Sequence, residues 1–267
     1  MAPISDNKNY QAPSVFAPSA LLREARRQKG LPTVDVPRVC ILDPDGDIVR
    51  RLRREGRSKP FTPWPCYHTT LDCFDLAGET AGIVGCAVGA SFAVLIAEEL
   101  FACGCKLLIS LTSAGQIEVL GAPPYFVVID RALRDEGTSD HYAPPAEFAN
   151  ADAALVAAAS AALQASGLHA FVGASWTTDA PFRETIDAIA WAKSRGAVAV
   201  EMEAAALYTF ASVTKARVLC LAHVTNTMAQ AGQDFEKGAA DGTDDALSVL
   251  AAVAAKLRSG LRRRSAR

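Results

Sequence analysis

No charge of either sign dominates this sequence. Its 27 Lys and Arg stand against 29 Asp and Glu, for a net charge of −2 and a pI near 6.1. That balance gives no electrostatic reason to expect a nucleic-acid partner. A secretory h-region is also missing, since Met1 to Pro13 is polar. Long hydrophobic runs are scarce. The one that resembles a membrane span, Ala81 to Ala97, carries Gly82, Gly85 and Gly89 and stops at Glu98-Glu99. It is slightly short for about 30 Å of hydrocarbon. A buried strand, a glycine turn and a buried helix explain it better. Paired zinc-ligand spacing is absent too. The 7 cysteines are odd in number, and Cys103-Gly104-Cys105 has no second pair. They read as reduced, mostly buried thiols of a cytoplasmic protein. No metal site is expected, and no internal repeat is visible.

What is present is a large apolar fraction, 50% of 267 residues, enough for a sizeable core. Strand-like and helix-like runs alternate along most of the chain. Strands are expected at Arg38–Leu42, His68–Phe74, Ala81–Val88, Lys106–Leu111, Tyr125–Ile129, Leu168–Gly173, Ala197–Val200 and Val218–Val224. Helices are expected from Ser19 (as N-cap) to before Gly30, Ile48–Glu55, Ala90–Ala102, Asp152–Ser166, Glu184–Ser194, Ala204–Val213 and Asp244–Leu257. The stretch Asp130–Asn150 reads as a long irregular loop, the kind that is often functional. This alternation argues for an α/β chain with a mainly parallel sheet flanked by helices. The organisation expected is an arm and helix over 1–37, a domain over 38–258 and a basic flexible tail over 259–267.

The stretch Val198 to Tyr208 draws most attention. A short apolar strand ends in Glu201-Met202-Glu203, and a run of strong helix formers follows at once. Acids suit a helix N-terminus, but a strand end is also where open α/β sheets bind ligands. Four other places could carry chemistry. Gly85 to Ser91 is a glycine turn before a helix, which can approach an anion or serve only as a turn. Thr112-Ser113-Ala114-Gly115 puts hydroxyls at a strand end, for a ligand or for a local turn. Phe182-Arg183 combines a flat ring with a planar donor fork, suited to a base or to packing and solvent. His141 sits in a polar loop.

Val200-Glu201-Met202-Glu203-Ala204-Ala205-Ala206 resembles the V-E-M-E-x-A-A element of the nucleoside phosphorylase superfamily. The glycine turn before Ile96-Ala97-Glu98-Glu99-Leu100, the Thr112 segment, and Gly173 to Thr185 are similar to family segments as well. The resemblance implies a single α/β domain whose mixed, mostly parallel central sheet is distorted and barrel-like, with helices on both sides. It implies cleavage of an N-glycosidic bond. Glu203, Asn226 and Arg183 would be catalytic. Thr112, Ser113, Ala114, His141, Phe182, Glu201, Met202, Gly89 and His68 would bind substrate, with Met202 under the ribose and Glu203 on its hydroxyls. It also implies a homo-oligomer acting on a nucleoside or nucleoside-like small molecule, with no cofactor and phosphate as a possible co-substrate.

The chain departs from that pattern where phosphate would bind. Pro44-Asp45-Gly46-Asp47 stands for the family's G-D-P, Ile109 for an arginine, and Tyr67-His68 for the neighbourhood of a second arginine. An apolar residue cannot replace a guanidinium, and added carboxylates repel an anion. Arg50, Arg51 and His68 are the remaining candidates for a compensating cation. Asn226 stands where purine-cleaving relatives have the Asp of S-D, and asparagine donates a hydrogen bond but no proton. Phosphorolysis is the family default. Hydrolysis by water and a repurposed pocket, either non-catalytic or of unrelated chemistry such as a cyclase, are the alternatives.

Overall fold

In the computed structural model, the described residues are 4, 6, 8–228 and 235–264, without side chains for 261–264. Seven α-helices and ten strands are present among them. In chain order they are α1 (Pro18–Lys29), β1 (Val39–Asp43), α2 (Asp47–Arg54), β2 (Ser58–Pro60), β3 (Asp72–Leu76), β4 (Glu79–Gly85), α3 (Ala90–Ala102), β5 (Leu107–Gln116), β6 (Tyr125–Asp135), β7 (Phe148–Asn150), α4 (Ala153–Ala165), β8 (Ala170–Thr178), α5 (Ile186–Ser194), β9 (Ala197–Glu201), α6 (Ala204–Thr214), β10 (Val218–Asn226) and α7 (Thr243–Arg264).

Five strands close on themselves in the order β10–β6–β8–β9–β5, with β5 returning to β10. From β5 the sheet continues through β1, β4, β3 and β2, and β7 hangs on β6. Pairing is mixed. The runs β10–β5–β1–β4 and β6–β8–β9 are parallel, while β10–β6, β5–β9, β6–β7 and the β4–β3–β2 meander are antiparallel. This is an α/β fold with a closed mixed sheet, the distorted barrel that the family resemblance implied.

Successive side chains of a strand face opposite ways, and here both ways are apolar. Along β10, Val218, Cys220, Ala222 and Val224 enter one core with α3 and α6. Leu219 and Leu221 enter a second core with α2, α4 and α7. β1 divides likewise, Cys40 and Leu42 against Val39 and Ile41. Near-continuous apolar strands therefore follow from burial on both faces. One polar tie crosses the first core. The buried Tyr208 hydroxyl donates to the Ile129 carbonyl at 2.6 Å and accepts the Cys220 amide at 2.9 Å.

Several expectations need correction. Ser19 is not the N-cap of α1; Ala17 holds that place, with Pro18 in the first turn. Proline fits there because its missing N–H would be unpaired anyway. The long loop expected at 130–150 is partly strand, since β6 runs to Asp135 beside β8 and β7 pairs back onto it. β3 begins at Asp72 rather than His68. The basic tail is helical through Arg264, and residues 265–267 lie outside the described residues. As expected, the run Ala81–Ala97 divides between β4, a glycine turn and α3, and among the described residues no helix is long and apolar enough to cross a membrane. All seven cysteines are free, with Cys86 exposed and Cys73 half-buried.

Tyr208→Phe would strand two buried backbone groups at once. Its unfolding free energy should fall by about 1–3 kcal/mol, read from urea titrations, with no change in the far-ultraviolet dichroism of the native state.

Candidate active site

Strands β1, β4, β5 and β10 run parallel and end on one edge, which gathers Asp43, Gly85, Thr112, Ser113 and Asn226. The β9–α6 junction reaches the same place. There Glu201 is buried and its carboxylate accepts four hydrogen bonds. Ser175 Oγ and Thr177 Oγ1 donate to Oε1 at 2.9 and 2.5 Å. The amides of Glu203 and Ala204 donate to Oε2, each at 2.7 Å. Glu201 was expected to bind substrate. Both its oxygens are engaged by protein donors, and these bonds fix the turn that positions Glu203. Burial pushes its carboxyl upward even against these donors.

Glu203 caps α6 and is 2% exposed. Its Oε1 accepts the Gly89 amide at 2.8 Å. The backbone of Gly89 lies at φ +91, a region that glycine enters without steric cost. Glu203 Oε2 is buried and accepts nothing among the described residues. Burial, then the charge of Glu201, lifts the Glu203 carboxyl to about 8; Gly89 and the neighbouring Thr112 hydroxyl oppose that shift. Gly89, Thr112 and Glu203 are thus brought together, with Met202 half-buried between the two glutamates.

Asn226 and Ala114 also meet here. Asn226 Nδ2 reaches the Ala114 carbonyl and Thr225 Oγ1 only at 3.5 and 3.4 Å, while its Oδ1 accepts the Met228 amide at 2.9 Å. Its amino group is therefore weakly engaged. Phe182 and Arg183 are apart from the group. They stand on a short 3-10 turn after β8, with Phe182 99% exposed and Arg183 exposed. His141 is exposed and pairs with Lys8 Nζ at 2.8 Å. His68 belongs to a neighbouring cavity of about 400 Å³ shared with Arg50, Arg53 and Cys86.

The side of the site beyond Thr112 is acidic. Asp45 Oδ2 accepts both the Ser113 amide, at 3.1 Å, and the Ser113 hydroxyl. Behind it Asp43 accepts the amides of Gly46 and Val49 at 3.1 and 2.9 Å, and burial raises its carboxyl to about 7. A cavity of about 20 Å³ lies among Asp43, Asp45, Asp47, Ser113, His223 and Lys237. His223 stacks on Phe126 at 4.4 Å, and burial lowers its imidazole to about 4, so it is neutral at pH 7.

The two arginines among the candidate compensating cations are ion-paired. Asp47 binds Arg50 at 2.5 Å and Lys237 at 2.6 Å. Arg51 binds Glu55 and Asp244, each at 2.7 Å. Ile109 lies fully in the second core, where a guanidinium would face burial without a partner. Sequence reading noted Asp45 and Asp47 but missed the Asp45–Ser113 bond, the Ser175–Thr177–Glu201 cluster and Lys237. The only signal for them was hydroxyl-rich strand ends.

Glu203→Gln tests the electrostatics. A carboxyl raised in the folded state contributes stability below its ordinary value of 4.5 that is lost as pH rises through about 8. Urea midpoints compared across pH should show the natural protein losing ground to the Gln variant over that window, then levelling off.

Among curated proteins, none matches the chain in sequence. Solved structures do match in shape. Toxoplasma gondii purine nucleoside phosphorylase, crystallised with immucillin-H, superposes with a TM-score of 0.72 at 16% identity, over 86% of this chain and 93% of that one. Uridine phosphorylase from Vibrio fischeri ES114, with 6-hydroxy-1-naphthoic acid, gives 0.71 at 21% identity over 85% and 97%. A second structure of that enzyme gives 0.71 at 23% identity over 84% and 95%. At such identities the likeness establishes the fold. Residues 38–257 match the family model described as the phosphorylase superfamily, and with the Glu203 site at its sheet edge this chain belongs to that superfamily.

Proposed function

We propose that this chain cleaves the N-glycosidic bond of a nucleoside with water, rather than phosphate, as the acceptor. The observation that carries this reading is the acidic edge beside Thr112. Where a phosphate dianion would need uncompensated cations, Asp43, Asp45 and Asp47 stand, and Arg50 and Lys237 are paired with Asp47. Water pays no such repulsion.

The sugar would lie over Met202, with a hydroxyl donating to the open Oε2 of Glu203. As the C1′–N bond stretches, positive charge grows on the sugar, and the buried Glu203 carboxyl, once ionised, offsets it in a site of low dielectric. Asp45, held at the strand end by Ser113, is the base. The water oxygen bonds to C1′ while its proton passes to Asp45. The C1′–N electron pair leaves on the base, which takes a proton from solvent. Asn226 Nδ2 stabilises that departing base through a carbonyl oxygen and does not protonate it. This favours bases that spread negative charge onto carbonyls, as uracil does, over purines that need an acid. Phe182 and Arg183 would reach the base only when their turn folds over the site.

Incubation with uridine, thymidine, inosine, adenosine and methylthioadenosine, with and without phosphate, tests the reading by chromatography of free base. Release should occur at the same rate in both buffers. Strict dependence on phosphate would overturn it. Asp45→Asn should lower kcat by about 100-fold or more, as loss of a general base does, while Glu203→Ala should lose turnover as well as sugar binding.

A further inference from the structure

A second cavity lies at the opposite edge of the sheet. Strands β10, β5 and β1 are neighbours, and each is entered through a cation: Arg217, Lys106 and Arg38. Backbone bonds lock these entries into a row. The amides of Lys106 and Leu107 donate to the Arg38 carbonyl at 2.8 and 3.0 Å, and the Leu108 amide donates to the Arg217 carbonyl at 3.0 Å. Lys215, which ends α6 in the left-handed region at φ +61, adds a fourth positive group. Together they border a cavity of about 680 Å³, floored by Phe101 and Phe210. The two rings lie 5.9 Å apart, and Phe101 is partly exposed.

Charge balance at this cavity is one-sided. Glu98 is the acid on its lining, and its Oε1 already accepts the Tyr142 hydroxyl at 2.8 Å. Arg38, Lys106 and Lys215 make no ion pair among the described residues. The carbonyl end of α6 takes up part of the Lys215 charge through Ser212 O at 2.9 Å. The like charges of Arg38, Lys106 and Lys215 on one cavity of a chain of net charge −2 repel one another unless an anion joins them. The size is that of a small-molecule site, and an aromatic floor with a basic rim suits a flat ring that carries a phosphate.

We infer that this cavity binds a nucleoside 5′-monophosphate, with the phosphate held by Arg38, Lys106 and Arg217 and the base laid against Phe101. The site is distinct from the Glu203 site. From Lys106 to Thr112 along β5 is roughly 20 Å at about 3.3 Å per residue. One element touches both, because α6 begins at Glu203 and ends at the cavity wall. The inference does not depend on which acceptor the reaction uses.

Calorimetric titration of the full chain with AMP, UMP, uridine and inorganic phosphate tests it. Glu203→Ala disables the other edge and should leave AMP or UMP binding unchanged. Arg38→Glu with Lys106→Glu should weaken that binding at least tenfold while the melting temperature stays near that of the natural chain. If the double variant does not fold, Lys106→Ala alone should weaken binding several-fold. Raising the salt should weaken it too. Several outcomes would overturn the proposal: nucleotide binding lost in Glu203→Ala, binding indifferent to both charge variants, phosphate alone binding as tightly as the nucleotide, or no binding together with a change of oligomeric mass in the charge-reversed chain. The last would make this face an interface between copies.

Discussion

The four hydrogen bonds that converge on Glu201 are the interaction on which the site depends. A carboxylate removed from water is costly unless its lone pairs are met. Here two hydroxyls of β8 and two amides at the start of α6 meet them. Bonds to a charged acceptor contribute about 1.5–3 kcal/mol each, so the cluster ties β8, β9 and α6 at a single point. It also leaves Glu203 no choice of direction. Its amide is bound to Glu201, its side chain is drawn to Gly89, and one oxygen remains open.

Two buried carboxyls so close together set the electrostatic character of this edge. Burial raises the cost of ionising both, and the charge of Glu201 adds to that cost at Glu203. The resting site is therefore poised to receive positive charge rather than to hold negative charge. Asp43, whose carboxyl burial also raises, extends the same bias around the end of β1. Under the proposed hydrolysis, such an edge suits a cationic sugar in transition better than an incoming dianion.

Much of the fold was legible because its physical cause is local. The double-sided apolar strands, the αL glycine after α1 and the bounds of α3 follow from residue pattern alone. The Glu203 junction was legible too, through its strand–acid–helix sequence. Extension of β5 to Gln116 and of β8 past Gly173 was not, since those residues become strand only through the pairings that close the barrel. The bond from Asp45 to Ser113 spans 68 positions, and no local rule joins them. Phe182 read as a base-stacking ring, yet it stands in solvent. The sequence records a side chain's chemistry but not whether a turn is closed over its ligand.

Closure of the barrel has a further consequence for the fate of the chain at high concentration. Joining β5 to β10 removes two long, apolar strands from any role as a free border. The path through the open part of the sheet then finishes at β2, and β7 lies at the other margin; each is three residues long. β2 carries Lys59 and Pro60, a charge and a residue without an amide hydrogen. Borders this short, one of them charged and proline-bearing, offer little template to a strand from another molecule. Among the described residues, a chain that is half hydrophobic thus leaves only three-residue strands at the borders of its sheet.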